Sequence, residues 1–278
     1  MNQRLTFILP LLFISLISFI FAYLNTSFVN PSDNTTNIKK SHSTIKLAIL
    51  DSGINNDFNV VKRFNTFDTE LPVEDDYGHG TAIASIVTNN FRNESIEIYD
   101  VKVLNEKGNG DIEQLINGIE WAMNQSVDII NISLGTHSNN KRLETVIKKA
   151  LQEDIIIIAS SGNNYGLYVD YPARYKGVIS VSSLKDNNEK VFDSEVGKID
   201  VVDYGLEIEA INRTGKIEKF SGTSFATANV TKKIIALIQA DFLSNSNKNL
   251  LESLERLTID LGEKGKDAKF GVGLIKNE

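Results

Sequence analysis

The chain has 278 residues and no cysteine. That absence excludes a disulfide framework, a thiolate nucleophile, a cysteine-based metal site and a bacterial lipoprotein anchor. Histidine is scarce as well, with only His42, His79 and His137. A multi-histidine metal site is therefore not expected, and two of the three lie in polar stretches that read as loop. Positive charge is the third shortage: 29 Lys and Arg stand against 36 Asp and Glu, a formal net charge of -7. A nucleic-acid partner would need a clustered basic face, so none is expected, and the acidic balance reads as solubility. What remains is 41% hydrophobic and 23% charged, ample for a core in one large domain or two small ones.

The N-terminus differs in kind from the rest. After a short basic segment, residues 1–5 with Arg4, the chain is almost wholly apolar from Thr6 to Leu24. Such a run is close to the roughly 20 residues that cross a bilayer and longer than the ~7–15-residue core of a cleaved signal. Ala22 offers a small residue for cleavage, but Ile20 two places earlier fits the small-x-small rule poorly, so a signal-anchor is preferred over a cleaved signal peptide. The positive-inside rule puts the bulk of the chain outside the cytoplasm, membrane-anchored through residues 6–24 or secreted. Residues 25–44 are mostly Asn, Ser, Thr, Pro and Lys, a polar tether with little to bury.

From Ile45 the pattern changes to short β-branched runs alternating with helical periodicity. Strands are expected at Lys46–Leu50, Ile96–Val103, Val127–Ile132, Ile155–Ala159 and Val178–Val181, and helices near Thr81–Thr88, Ile112–Met123 and Arg142–Leu151. Strand–helix alternation predicts a doubly wound α/β fold over residues 45–278, a mostly parallel sheet with helices on both faces. Sites in such sheets collect at the carboxyl ends of strands. Asp51, Ser133-Leu134-Gly135 and Ser161-Gly162-Asn163 stand there.

A further helix begins at Phe220-Ser221-Gly222-Thr223-Ser224 and is expected to run to about Leu243. Ala226, Val230, Ile234, Leu237 and Ile238 recur at steps of three and four, so it should be buried on most of its circumference. Thr223 reads as the N-cap, which puts Ser224 in the first turn, where unpaired N–H groups and the positive end of the helix dipole meet. A serine hydroxyl needs an imidazole to take its proton, and the imidazole needs a carboxylate to fix its tautomer. His79, in Asp76-Tyr77-Gly78-His79-Gly80-Thr81, and Asp51, in Leu50-Asp51-Ser52-Gly53, supply both types. Asn163, with the Ser224 N–H, would stabilise a tetrahedral oxyanion. Each residue has an ordinary explanation on its own: Asp51 as a turn former, His79 as a helix-start residue, Asn163 as a loop residue and Ser224 as part of a cap. Together those explanations multiply to something small.

These blocks, in the order Asp, His, Ser, resemble the subtilisin-type serine proteases, the subtilases. The likeness extends from Lys46 to Ile275 and includes Lys102-Val103-Leu104 with Gly108-Asn109-Gly110, Asn117–Ala122, Asn131–Gly135, Tyr171-Pro172-Ala173 and the closing Asp260-Leu261-Gly262 through Ile275, so the domain is expected to be complete. The resemblance implies an endopeptidase acting through an acyl-enzyme on an extended peptide or protein. Ser224 would be the nucleophile, His79 the base and acid, Asp51 its orienter, and Asn163 with Ser224 the oxyanion hole. Substrate would lie between Gly108–Gly110 and Ser133–Gly135, adding a strand. Asp170, just before Tyr171-Pro172, falls where the family's primary pocket closes and would favour Lys or Arg before the cut; otherwise it is a solvated surface aspartate.

The departures carry expectations too. Ala228-Asn229 replaces the family's usual Pro-His pair and Asp203-Tyr204-Gly205 its Ala-Pro-Gly turn, changes of packing and turn rigidity. The segment between the helix after His79 and the strand at Ile96 is short, where a calcium loop is often carried. No cofactor is therefore expected, and Glu74-Asp75-Asp76 reads as solvated loop charge rather than a metal ligand set. About twenty residues separate Leu24 from the domain, so folding is expected to proceed without a pro-domain or with a partner's help, and a narrow processing role is favoured over bulk digestion. The chain is expected to be monomeric. The alternative is a catalytically silent, membrane-tethered peptide-binding protein on the same scaffold. An α/β-hydrolase esterase is excluded because Ser224 is not in Gly-x-Ser-x-Gly.

Overall fold

In a computed structural model of the chain, residues 44–276 are described apart from 56–57, 92–94, 164–167 and 190–196. The apolar stretch 6–24, His42, nearly all of the tether and most of the loop before Val169 lie outside the described residues. Among those described, no helix is long and apolar enough to cross a membrane.

The sheet grows outward from β1 (Ile45–Asp51). Its side chains alternate between two faces, as a strand's must. Ile45, Leu47 and Ile49 join the apolar layer formed with α1 (His79–Thr88) and α4 (Thr223–Gln239), whereas Ala48 and Leu50 join the layer formed with α2 (Ile112–Asn124) and α3 (Lys141–Gln152). A strand buried on both faces reads as a continuous apolar run, which is why Ile45–Leu50 carries no polar alternation beyond Lys46.

β1 pairs in parallel with β3 (Ile96–Lys102) on one side and β4 (Ile129–Ile132) on the other. Beyond β3 lies β2 (Val60–Asn65); beyond β4 follow β5 (Ile156–Ser160), β6 (Ile179–Leu184), β7 (Val201–Tyr204), β11 (Leu274–Ile275) and β10 (Thr258–Ile259). Within this nine-stranded sheet the β10–β11 pair is antiparallel and the other pairings are parallel. The chain therefore leaves β1 toward β3 and β2, then returns to build β4 to β7 on the other flank. That reversal opens a crevice at the carboxyl end of β1, where Asp51 stands.

The expected α/β architecture holds, with strand and helix bounds within a few residues. β2 was not anticipated because Val-Val-Lys-Arg-Phe-Asn is an edge strand whose exposed charges look like loop. A separate antiparallel hairpin, β8 (Ile208–Ile211) and β9 (Ile217–Phe220), leads directly into α4. α4 ends at Gln239 rather than Leu243, and its Ala226, Val230, Ile234, Leu237 and Ile238 are buried. A short α5 (Leu250–Glu255) follows. Asn229, in place of the family's histidine, donates its side-chain amide to Tyr204 O at 3.0 Å, so both departures from the family pattern meet in one contact.

Candidate active site

The site begins with Asp51, 1% exposed at the end of β1. The neighbouring Ser52 N–H donates to Asp51 Oδ1 at 2.8 Å. His79 opens α1, and its Nδ1 lies 2.8 Å from Asp51 Oδ1 and 2.9 Å from Oδ2. A carboxylate can only accept here, so Nδ1 carries the hydrogen and Nε2 is left as the basic nitrogen. The approach depends on Gly80: a Cβ there would stand 2.2 Å from Gly53 O and 3.1 Å from Asp51 Cβ, so a larger residue would force the helix start off the Asp51 turn.

Asp75 joins the two elements. It accepts from Ser52 Oγ at 2.7 Å, Gly78 N at 2.6 Å, Thr81 N at 2.8 Å and also Thr81 Oγ1, while Ser52 Oγ accepts from Gly80 N at 3.0 Å. The expectation of a solvated acidic run is thus corrected at Asp75: Glu74 and Asp76 are exposed, but Asp75 satisfies donors of the α1 mouth that helix geometry leaves unpaired. Lys102, at the end of β3, donates to Ser52 O at 2.7 Å and Glu74 O at 2.6 Å, pinning the same turns from below.

Burial by itself would lower the His79 pKa. The Asp51 charge and its hydrogen bond, with a further contribution from Asp75, outweigh that, and the imidazole is raised above its ordinary value of 6.5.

A second device lies behind Asp51. Arg63 on β2 donates to Asp100 Oδ2 on β3 at 2.5 Å and to Ile54 O at 2.6 Å, and Ile54 N donates to Asp100 Oδ2 at 3.1 Å. Both backbone groups of Ile54 are held, which fixes the turn that leaves Asp51. Burial pushes the Asp100 carboxyl up to about 7, against the lowering influence of Arg63 and the Ile54 N–H.

The serine block folds around Gly222, whose φ of 148° is open to glycine and which takes the N-cap position in place of the expected Thr223. Thr223 is instead the first helical residue. Its N–H donates to Asn163 Oδ1 at 3.1 Å, and its hydroxyl lies 3.0 Å from Gly162 O and 3.2 Å from Asn163 Oδ1. A backbone N–H must face an oxygen, so this contact fixes the amide and leaves Nδ2 as the donor. A Cβ at Gly222 would come 3.3 Å from that Nδ2. Ser224, in the first turn, has an N–H with no acceptor inside the helix. Its Oγ donates to Ser133 O at 2.9 Å, and Ser133 Oγ in turn lies 3.3 Å from Ser224 O and 3.0 Å from Asn131 Oδ1.

His79, Asn163 and Ser224 line one cavity of about 740 Å3, together with Tyr77, Phe225 and residues of the β8–β9 hairpin. The Phe225 ring packs edge-on against His79, with centroids 5.3 Å apart. Asp51 touches His79 directly; the Ser224 hydroxyl shares the cavity with His79 and is bonded to Ser133 O. Gly108, Asn109 and Gly110 close a turn after β3 in which Asn105 N donates to Asn109 O at 2.8 Å, and the Tyr77 ring lies across Gly108. Leu134 and Gly135 follow Ser133 beyond β4. Asp170 is 5% exposed rather than a solvated surface residue, and His137 Nδ1 sits 2.6 Å from its Oδ1.

Sequence reasoning missed Ser52, Asp75, Lys102, Arg63, Asp100 and the partner of Asp170. Asp75 alone carried a signal, its place four residues before the histidine in Asp-x-x-Gly-His-Gly, which lets an acceptor fold back onto the following helix start.

The Peptidase_S8 subtilase family matches residues 36–273. Among curated proteins the chain is similar to the minor extracellular protease Epr of Bacillus subtilis (strain 168), 34% identical over 245 residues, and to subtilisin E of the same organism, 33% identical over 249 residues. It is also similar to a thermostable alkaline protease of Halalkalibacterium halodurans, 30% identical over 240 residues. The alignments cover 84%, 84% and 83% of this chain but 38%, 64% and 65% of those relatives, so the chain spans about two fifths to two thirds of their length. With its Asp51–His79 contact, its serine at a helix mouth and a family match over nearly the whole of the described residues, the chain belongs to the subtilase family.

Proposed function

We propose that the chain is a serine endopeptidase that cleaves peptide bonds through an acyl-enzyme on Ser224. The observation that carries this is the single cavity shared by His79 and Ser224, with His79 oriented by buried Asp51 so that its basic nitrogen is free. A rotation of the Ser224 side chain about Cα–Cβ moves its hydroxyl from Ser133 O toward His79. His79 then takes the proton as Ser224 attacks the carbonyl and returns it to the leaving amine. The tetrahedral oxyanion is held by Ser224 N–H and Asn163 Nδ2. Substrate lies extended along Gly108–Gly110 and Ser133–Gly135, and the side chain before the cut reaches Asp170, whose carboxylate favours a basic residue. The enzyme works outside the cytoplasm, carried there by residues 6–24, with a narrow processing role. Export has support in the name of the Epr relative, an extracellular protease.

Labelling of the full-length chain by a fluorophosphonate tests this. Labelling that is lost in Ser224→Ala, with hydrolysis falling about a millionfold as in the dissected triads of this family, is the expected outcome. The second reading, a silent peptide binder, draws on the Ser224 hydroxyl being bonded to Ser133 O rather than to His79. Folded protein that takes no label would establish it.

A further inference from the structure

The acid proposed to meet the substrate's side chain is not alone. Asp170 is fixed from several directions: its N–H donates to Ser161 O at 2.8 Å, and Thr136 and Tyr171 exchange N–H···O bonds at 2.8 Å each, pinning residues 170–171 beside residues 135–137. A Cβ built on Gly135 would stand 2.7 Å from Asp170 Cβ and 3.3 Å from Oδ2. Oδ2 therefore lies under the bare α-carbon of Gly135. Oδ1 is occupied, with His137 Nδ1 at 2.6 Å. Facing a carboxylate oxygen, that nitrogen carries a hydrogen in either charge state of the ring. The His137 ring is held edge-on against Tyr168, with centroids 5.2 Å apart and planes at 79°.

We infer that His137 is a second specificity residue, which by engaging Oδ1 of Asp170 leaves Oδ2 as its one unengaged oxygen and sets the pocket to favour lysine over arginine. The inference rests on the reading that Asp170 receives the side chain before the cut. An arginine gains its advantage over lysine from two parallel N–H bonds to both oxygens of one carboxylate. With Oδ1 already engaged by His137, the second arm of that fork meets an oxygen whose charge and approach are shared with the imidazole N–H, and it gains less for the same desolvation. A lysine ammonium is a point charge with rotatable donors and needs only Oδ2. Its remaining donors can meet carbonyl oxygens or water.

The test uses the full-length chain, with active enzyme counted by fluorophosphonate titration. Three peptide p-nitroanilides that differ only in Lys, Arg or Phe before the cleaved bond are compared by kcat/KM in the wild type, His137→Phe and His137→Ala. The expected result is a Lys-over-Arg ratio of about ten in the wild type, the worth of one charge-assisted hydrogen bond, with both basic substrates ahead of Phe. In His137→Phe, which keeps a ring against Tyr168 but offers no donor, the ratio should fall to about one or invert. His137→Ala reads the same change should the bulkier variant fold poorly. A Lys-over-Arg ratio equal in all three proteins, or an arginine preference in the wild type, overturns the inference while leaving the role of Asp170 intact. A wild type that favours Phe overturns both.

Discussion

Two histidine–aspartate pairs in this protein share nearly the same contact and have different surroundings. His79 and Asp51 meet at 2.8 Å with side chains 19% and 1% exposed, and His137 and Asp170 meet at 2.6 Å at 59% and 8%. A distance alone therefore says little about a pair's chemistry. The first pair sits behind a network: Ser52, Asp75 and Lys102 tie its two turns together, and Arg63 with Asp100 holds the chain just after Asp51. Its imidazole edge opens on the cavity that contains Ser224. The second pair has a mostly exposed ring whose aromatic neighbour among the described residues is Tyr168. A buried, supported pair can keep one tautomer through a reaction, whereas an exposed one can only bias where its carboxylate points.

Four substitutions separate the two pairs, and loss of the Asp51 carboxylate is the most damaging of them. Asp51→Asn should lower kcat about 10^4-fold with the fold intact, because an amide allows the wrong tautomer at Nδ1. A loss of tenfold or less would mean that the supported pair is no more than structural. Asp170→Asn should cost about a hundredfold in kcat/KM on Lys substrates and far less on Phe ones, since under the proposed reading it removes the buried charge that a basic side chain would meet. Equal losses on both would place Asp170 outside the pocket.

Asp75→Asn should reduce kcat/KM about tenfold and leave the α1 mouth with an NH2 facing the Thr81 N–H. It also moves the pH profile in a defined direction. His79 must be neutral to act as base, so the wild-type acid limb lies above 6.5, and removing the Asp75 charge lowers the His79 pKa and shifts that limb toward acid. A limb that stays in place would show that the network acts through geometry alone.

Arg63→Met tests the clamp behind Asp51 by stability. Asp100 has its carboxyl raised by burial to about 7, so the stability it contributes is fully present below the ordinary carboxylate range and is lost as pH rises through about 7. Without Arg63 the buried, ionised form of Asp100 loses its countercharge. The variant should be less stable by about 3 kcal/mol at pH 8, with a smaller deficit at pH 5, where Asp100 is protonated. Urea unfolding at both values measures this, and a deficit independent of pH would rule out the charge as its cause.

Much of this was readable from the chain. Short β-branched runs such as Ile45–Leu50 and Ile155–Ala159, bounded by polar residues, read as strands buried on both faces, and the steps of three and four from Ala226 to Ile238 read as a buried helix. Asp51, His79, Asn163 and Ser224 were identifiable as candidates because each stands at a helix start or at or just beyond a strand end, within two residues of a glycine. The N-cap of α4 was misread because Thr223 has the right chemistry for a cap, and only the backbone at Gly222 shows that its hydroxyl is used elsewhere. Asp75 was misread because three adjacent acids look alike in sequence, although one of them folds back onto the helix start.

Periodicity and glycine placement are local properties of the chain, so the alternation of its main strands and helices, and the residue types at their ends, follow from the order of residues alone, whereas the edge strand β2 does not. Which of those residues meet is a property of the folded sheet. Asp170 and His137 are 33 positions apart, and Arg63 and Asp100 are 37 apart, on neighbouring strands. Such partners are chosen by sheet order and register, and one carboxylate's free oxygen is set by whichever side chain the packing brings to the other.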